Sequence, residues 1–203
     1  MFVSHKEEIE GILKKLLVND SLHAFWLNTL SYLENCGARK IASCEHPAEV
    51  KEEMLKHAAE EFRHAYYLKR QLSKLGQHLE DYRLSCLLGG WSAFHYLNFL
   101  DLKVSRFANC RRSAYLLVTY AIELRAQELY PIYQKQLKAI GSKGQVASII
   151  FEEEEHLKEV EAQLARMDQA ESFAQKACQI EGVFFARWMA EIKISLSLNE
   201  LNF

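Results

Sequence analysis

Two short stretches of the chain carry residue types that could do chemistry together. In Glu60-Glu61-Phe62-Arg63-His64 and in Glu152-Glu153-Glu154-Glu155-His156, a Glu stands three residues before a His. On an α-helix three residues turn through about 300°, so both side chains leave one face about a turn apart. A carboxylate and an imidazole placed in that way can ligate one metal ion together. Glu60 and Glu152 come immediately before each pair, placed to accept a hydrogen bond from a ligand His of a facing helix. One such pair alone means little, because a chain with 23 Glu and 8 His offers about one by chance. This chain has two, Glu61 with His64 and Glu153 with His156, each inside a strong helical pattern.

Two further acids extend the pattern. Glu34 lies 27 residues before Glu61, and Glu123 lies 30 residues before Glu153. Each spacing fits an antiparallel helix pair in which the earlier Glu faces the later Glu-x-x-His. The order Glu, Glu-x-x-His, Glu, Glu-x-x-His over roughly residues 21–168 resembles the ferritin-like di-iron carboxylate superfamily, which takes one contribution from each of four helices. The resemblance implies a four-helix bundle and a metal site of Glu34, Glu61, His64, Glu123, Glu153 and His156. It implies that Glu61 and Glu153 bridge two ions, while Glu34 with His64 and Glu123 with His156 complete them. Residues 60–64 also resemble the acid-Glu-x-Arg-His motif of bacterial multicomponent monooxygenases, whose subunits are far longer.

Four carboxylates and two imidazoles suit two Fe ions or, alternatively, two Mn ions better than zinc. Their four negative charges cancel two divalent ions, so a reduced site is neutral in a dry core. Two adjacent ferrous ions supply two electrons to O₂, which is the chemistry of an oxygenase, an oxidase or a ferroxidase. Tyr66, Tyr67 and Tyr120 lie near the proposed ligands, where packing is the simplest role. Leu68 occupies the position, a full turn past His64, where a ribonucleotide-reductase radical Tyr would be expected.

The elements that must position these residues read as helices throughout. Only 2 Pro and 8 Gly occur in 203 residues, 49% of them hydrophobic, which suits one helical domain over 1–203. Ser4-x-x-Glu7 has the form of a capping box ahead of a short helix over 5–17, and Asn19-Asp20-Ser21 stops it and caps the next. In that second helix Glu34 lies in the stripe Leu27, Leu30, Ala38, Ile41, with Gly37 leaving room beside it. Pro47 is placed to open the third helix, which Gly76 ends. There Glu61 shares the stripe of Met54, Ala58, Ala65, Leu68 and Leu72, and His57 shares the face as a surrogate ligand or a satisfied core histidine.

A bare carboxylate in such a seam would cost several kcal/mol, so a partner is required, either a metal or an Arg from another helix. Residues 78–105, rich in aromatics from Trp91 to Leu100, read as an added crossover helix, and also as the wall or lid of an apolar substrate pocket. The third bundle helix covers about 110–139, with Pro131 expected to kink it. Gly141-Ser142-Lys143-Gly144 turns the chain into the fourth, where Glu153 and His156 share the stripe of Ile149, Val160 and Leu164. Glu154 and Glu155 fall on the wet side. A last helix from about Glu171 carries Phe184, Phe185, Trp188, Met189 and Ile192.

Several function classes recede on composition. A net charge of −2 offers no basic surface for nucleic acid or anionic membrane. No apolar run has membrane-spanning length and no apolar signal core opens the chain, which points to the cytoplasm. Five scattered cysteines, none in a Cys-x-x-Cys, read as free and mostly buried thiols and offer no rubredoxin-like iron site.

Three readings remain. The first is a di-iron or di-manganese oxidoreductase using O₂ on a small or lipid-like organic substrate, with an electron-donor protein as partner and a monomeric or small oligomeric state. Its ligand spacing and long crossover resemble the aldehyde-deformylating oxygenases and the tRNA-modifying di-iron hydroxylase. The second is iron storage or detoxification, as in bacterioferritin-like proteins. The third is a metal-free helical bundle whose buried acids pair with Arg63 or Arg125.

Overall fold

The computed structural model describes residues 1–44, 48, 49, 51–142 and 145–200. Among them the chain is all-helical, with no strand: α1 (Lys6–Leu16), α2 (Asp20–Cys44), α3 (Glu52–Gln71), α4 (Gly90–Ser105), α5 (Arg111–Ala139), α6 (Ala147–Leu164) and α7 (Ala170–Glu200). Short 3-10 turns occupy Leu72–Leu75 and Leu84–Cys86. The fold separates into two compact units, Gly11–Leu97 with Trp188–Phe203, and Met1–Glu10 with Asn98–Arg187. The expected start of a helix at Pro47 and the Lys143-Gly144 half of the expected turn lie outside the described residues.

In the unit built around Gly11–Leu97, Asn19 begins α2 as expected, its Oδ1 accepting from the Leu22 amide at 3.0 Å. Helices α2 and α3 run antiparallel. Lys69 donates to the Asn28 side chain, the Ser31 hydroxyl donates to the Ala65 carbonyl, and Gly37 abuts Glu61, so rising numbers on α2 meet falling numbers on α3. Helix α3 tightens into the 3-10 turn and stops at Gly76, whose φ of 66° is the left-handed cap that glycine takes without strain.

The segment after Gly76 departs from expectation. The helix anticipated over 78–105 begins only at Gly90. Three polar side chains of α2 hold the preceding strip, which is extended at Arg83 and Leu87 on either side of the 3-10 turn. Asn28 donates to the carbonyls of Asp81 and Cys86, Thr29 Oγ1 accepts from the Leu88 amide at 2.7 Å, and Ser31 Oγ meets the Tyr82 hydroxyl at 2.8 Å. Asn28, Thr29 and Ser31 are fully buried, so these bonds spare three buried polar groups and several backbone groups the cost of desolvation without a partner. Where the strip ends, Leu88 accepts from Trp188 Nε1 at 2.9 Å and Trp188 stacks on Trp26 with centroids 5.6 Å apart.

In the unit of Met1–Glu10 and Asn98–Arg187, α5 and α6 are also antiparallel, with Arg112 bonded to Gln163 and the Val146 amide donating to Gln134 Oε1 at 2.6 Å. The latter bond satisfies an amide at the start of α6. Helix α5 runs unbroken through Pro131, which lies on its exposed side. The core is aliphatic: Leu100, Val104, Leu116, Leu117, Val160 and Leu164.

The capping box expected at Ser4-x-x-Glu7 is not what Ser4 makes. Its hydroxyl donates to Glu128 of α5, which also accepts from the His5 amide, so the chain start is tied to α5 while Glu7 stays exposed. All five cysteines are free, but only Cys178 is buried; Cys36, Cys44 and Cys86 are half-buried and Cys110 is exposed. The aromatic segment divides as well: Phe94 stacks on Tyr32, whereas Trp91 and Phe99 are exposed. No helix among the described residues is long and apolar enough to cross a membrane.

Candidate metal centre

Each unit positions half of the expected ligands, and each does so with one antiparallel helix pair. On α2 and α3, ligand atoms of Glu34, Glu61 and His64 lie within 4.8 Å of one another, a buried His/Glu group that could hold a metal ion. His64 Nδ1 is 3.8 Å from Glu34 Oε2, and His57 Nε2 is 3.3 Å from Glu61 Oε1. Glu61, His57 and His64 are buried, and Glu34 keeps only 11% of its side chain exposed. Gly37 makes the room: a Cβ there would stand 3.2 Å from Glu61 Oε2. On α5 and α6 the same pattern recurs, with His156 Nδ1 3.8 Å from Glu123 Oε1 and 3.5 Å from Glu153 Oε2, all three residues at most 3% exposed.

These separations suit shared coordination. Two donor atoms each about 2.1 Å from one ion stand about 3.0 Å apart at a right angle and about 4.2 Å apart when opposite. The His–carboxylate spacings of 3.5 and 3.8 Å fall inside that range and are at or beyond the limit of a hydrogen bond. Carboxylates and imidazoles so spaced could hold a metal ion.

The arginines considered as alternative cations each have an acidic partner. Arg63 has half its side chain exposed and lies 3.9 Å from Glu60, a half-buried acid. Arg125 is buried and directs its guanidinium to Glu181, through Nε at 2.9 Å and a terminal nitrogen at 2.8 Å, and to Glu128. The same nitrogen donates to the Val3 carbonyl at 2.8 Å, and the Phe2 and Phe185 rings lie within 4.4 Å of the guanidinium carbon. Fully buried Glu181 was missed in the sequence; its signal was an acid set among Cys178, Ile180, Val183 and Phe184. Glu154 and Glu155 are exposed as expected, and Glu152 is half-buried.

Neighbouring groups are tuned by burial. Desolvation raises the Tyr32 phenol well above its usual range and pushes the Cys36 thiol up, favouring their neutral forms. Tyr120, one turn before Glu123, is raised for the same reason. Tyr66 is exposed and Leu68 is fully buried.

The fold and these half-sites define an all-helical protein with a buried His/Glu group able to hold a metal ion. No protein-family model, curated protein or solved structure matches the chain.

Proposed function

We propose that this chain is a di-metal carboxylate oxidoreductase that uses O₂ on a small or lipid-like organic molecule. In this reading α2, α3, α5 and α6 form a ferritin-like four-helix bundle, and Glu34, Glu61, His64, Glu123, Glu153 and His156 serve one centre of two Fe ions, with Mn as the alternative metal. The observation that carries it is the buried group of Glu34, Glu61 and His64 on one antiparallel pair, repeated in kind by Glu123, Glu153 and His156 on another. Each half brings two carboxylates, so each neutralises one divalent ion. The centre would supply two electrons to O₂. The chain's own contribution is to hold the ligands apart at coordination distance and exclude water around them.

Elemental analysis of protein produced with added iron is expected to give about two equivalents per chain. Glu61→Ala and Glu153→Ala, at the bridging positions, are expected to lose both, while Glu34→Ala weakens one ion more than the other. Ferrous protein should consume O₂ without retaining excess iron as a mineral core. Full metal retention in both bridging variants would show that the centre is elsewhere, and retention of a mineral core would favour storage over oxidation.

A further inference from the structure

We infer that His57 is a seventh metal ligand, acting on the opposite side of Glu61 from Glu34 and His64, so that the two ions of the centre are chemically unequal. The inference rests on the di-metal reading above and concerns residues of α2 and α3 alone. Glu61 presents its two oxygens in different directions. Oε2 is turned to α2, where it would stand 3.2 Å from a Cβ on Gly37, and α2 is the helix that carries Glu34. Oε1 is 3.3 Å from His57 Nε2. Along α3, His57 lies one turn before Glu61 and His64 lies about one turn after it, so the carboxylate has an imidazole on each side.

A carboxylate with its oxygens so divided is built to bridge. An ion on the Oε2 side would take Glu34 and His64, each of which offers a ligand atom within 4.8 Å of a Glu61 carboxylate oxygen. The ion on the Oε1 side has His57, buried to 5% exposure and carrying no charge of its own to that ion when neutral. The second Glu-x-x-His helix has no such residue. Four positions before Glu153 stands Ile149, 1% exposed, an aliphatic side chain with no donor atom. The two motifs are therefore alike in Glu and His but unlike one turn upstream.

The chemical consequence is selectivity. An added neutral nitrogen donor leaves the charge balance unchanged and gives one ion two imidazoles where the other has one. Imidazole favours Fe, Co and Zn over Mn, which prefers carboxylate and water. One position of the centre should then discriminate against Mn while the other tolerates it.

Cobalt(II) is the probe, because it substitutes for iron and its paramagnetism shifts the exchangeable N–H proton of every coordinated imidazole into an empty spectral window. With two equivalents bound, wild-type protein is expected to show three such resonances, and His57→Gln two. One of the two cobalt-binding steps should weaken about tenfold or more in His57→Gln, a loss of the size seen when a group supporting a metal is removed. Free imidazole added to His57→Ala should restore that step, which separates ligation from a folding defect. Two resonances in wild-type protein holding two cobalt ions, with His57→Gln binding unchanged, would overturn the role of His57 and leave the di-metal reading standing. Wild-type protein that binds no cobalt would overturn both.

Discussion

Gly37 stands across from Glu61 so closely that a single added carbon would come within 3.2 Å of the carboxylate oxygen. A helix interior ordinarily prefers Ala to Gly by about 1 kcal/mol, so a glycine in the middle of α2 needs a local reason. The reason is on α3: a buried carboxylate must fit between two helix backbones.

Gly37→Ala should therefore separate stability from metal binding. The metal-free variant is expected to unfold at the same temperature as wild type or somewhat higher, because the helix gains up to about 1 kcal/mol. Its metal affinity should fall, since Glu61 must shift by a few tenths of an ångström from its position. Calorimetric titration and thermal unfolding on the same samples check this, and equal affinity would show that Glu61 tolerates the shift.

The Arg125–Glu181 pair should behave as a buried charge that cannot be left alone. Arg125→Met strands Glu181, which is fully buried, and is expected to destabilise by about 3–5 kcal/mol. Adding Glu181→Leu should recover a large part of that loss, because the stranded charge is then gone. A urea double-mutant cycle measures the coupling, and strictly additive losses would contradict it.

His23 should produce an acid limb in the stability curve. Burial lowers its pKa from 6.5 to about 4, against a smaller opposing pull from Asp20. Between those values the unfolded chain takes up a proton that the folded chain does not, so stability rises with pH across this window and falls as pH drops from about 6.5 toward 4. The full difference is on the order of 3 kcal/mol. In His23→Gln the loss between pH 7 and pH 4 should be smaller by that amount, which denaturant titrations at both pH values test.

Gly89 should tolerate no side chain. Its φ is 77°, and a Cβ would stand 2.4 Å from Trp188 Cδ1 and 2.7 Å from Trp188 Nε1. Gly89→Ala combines a disfavoured backbone with overpacking and is expected to cost about 3 kcal/mol. Displacing Trp188 also breaks its bond to the Leu88 carbonyl, so tryptophan emission should shift along with the loss of thermal stability. Unchanged emission and stability would mean that Trp188 has room to move.

Local periodicity made most of the helices and the paired ligands legible. Glu61 with His64 and Glu153 with His156 could be read directly, because a three-residue spacing on a helix is a geometric statement in itself. The same holds for Asn19 as a cap and Gly76 as a stop, which act on backbone within a turn. The acids at 34, 61, 123 and 153 could be placed in apolar seams from their neighbours alone, and all four are largely withdrawn from water.

Tertiary structure decided what depended on residues far apart in the chain. The strip before Gly90 forms no α-helix, and Asn28, Thr29 and Ser31, more than fifty residues earlier, take its hydrogen bonds. Ser4 leaves its capping box for Glu128, and Arg125 meets Glu181 across 56 positions. No periodicity encodes such pairings, because a polar side chain in an apolar seam says that a partner is needed and not which one. The division of the Glu61 oxygens between Gly37 and His57 is of the same kind: the spacing put the three residues near one another, and only the packing of α2 on α3 turned each oxygen its own way.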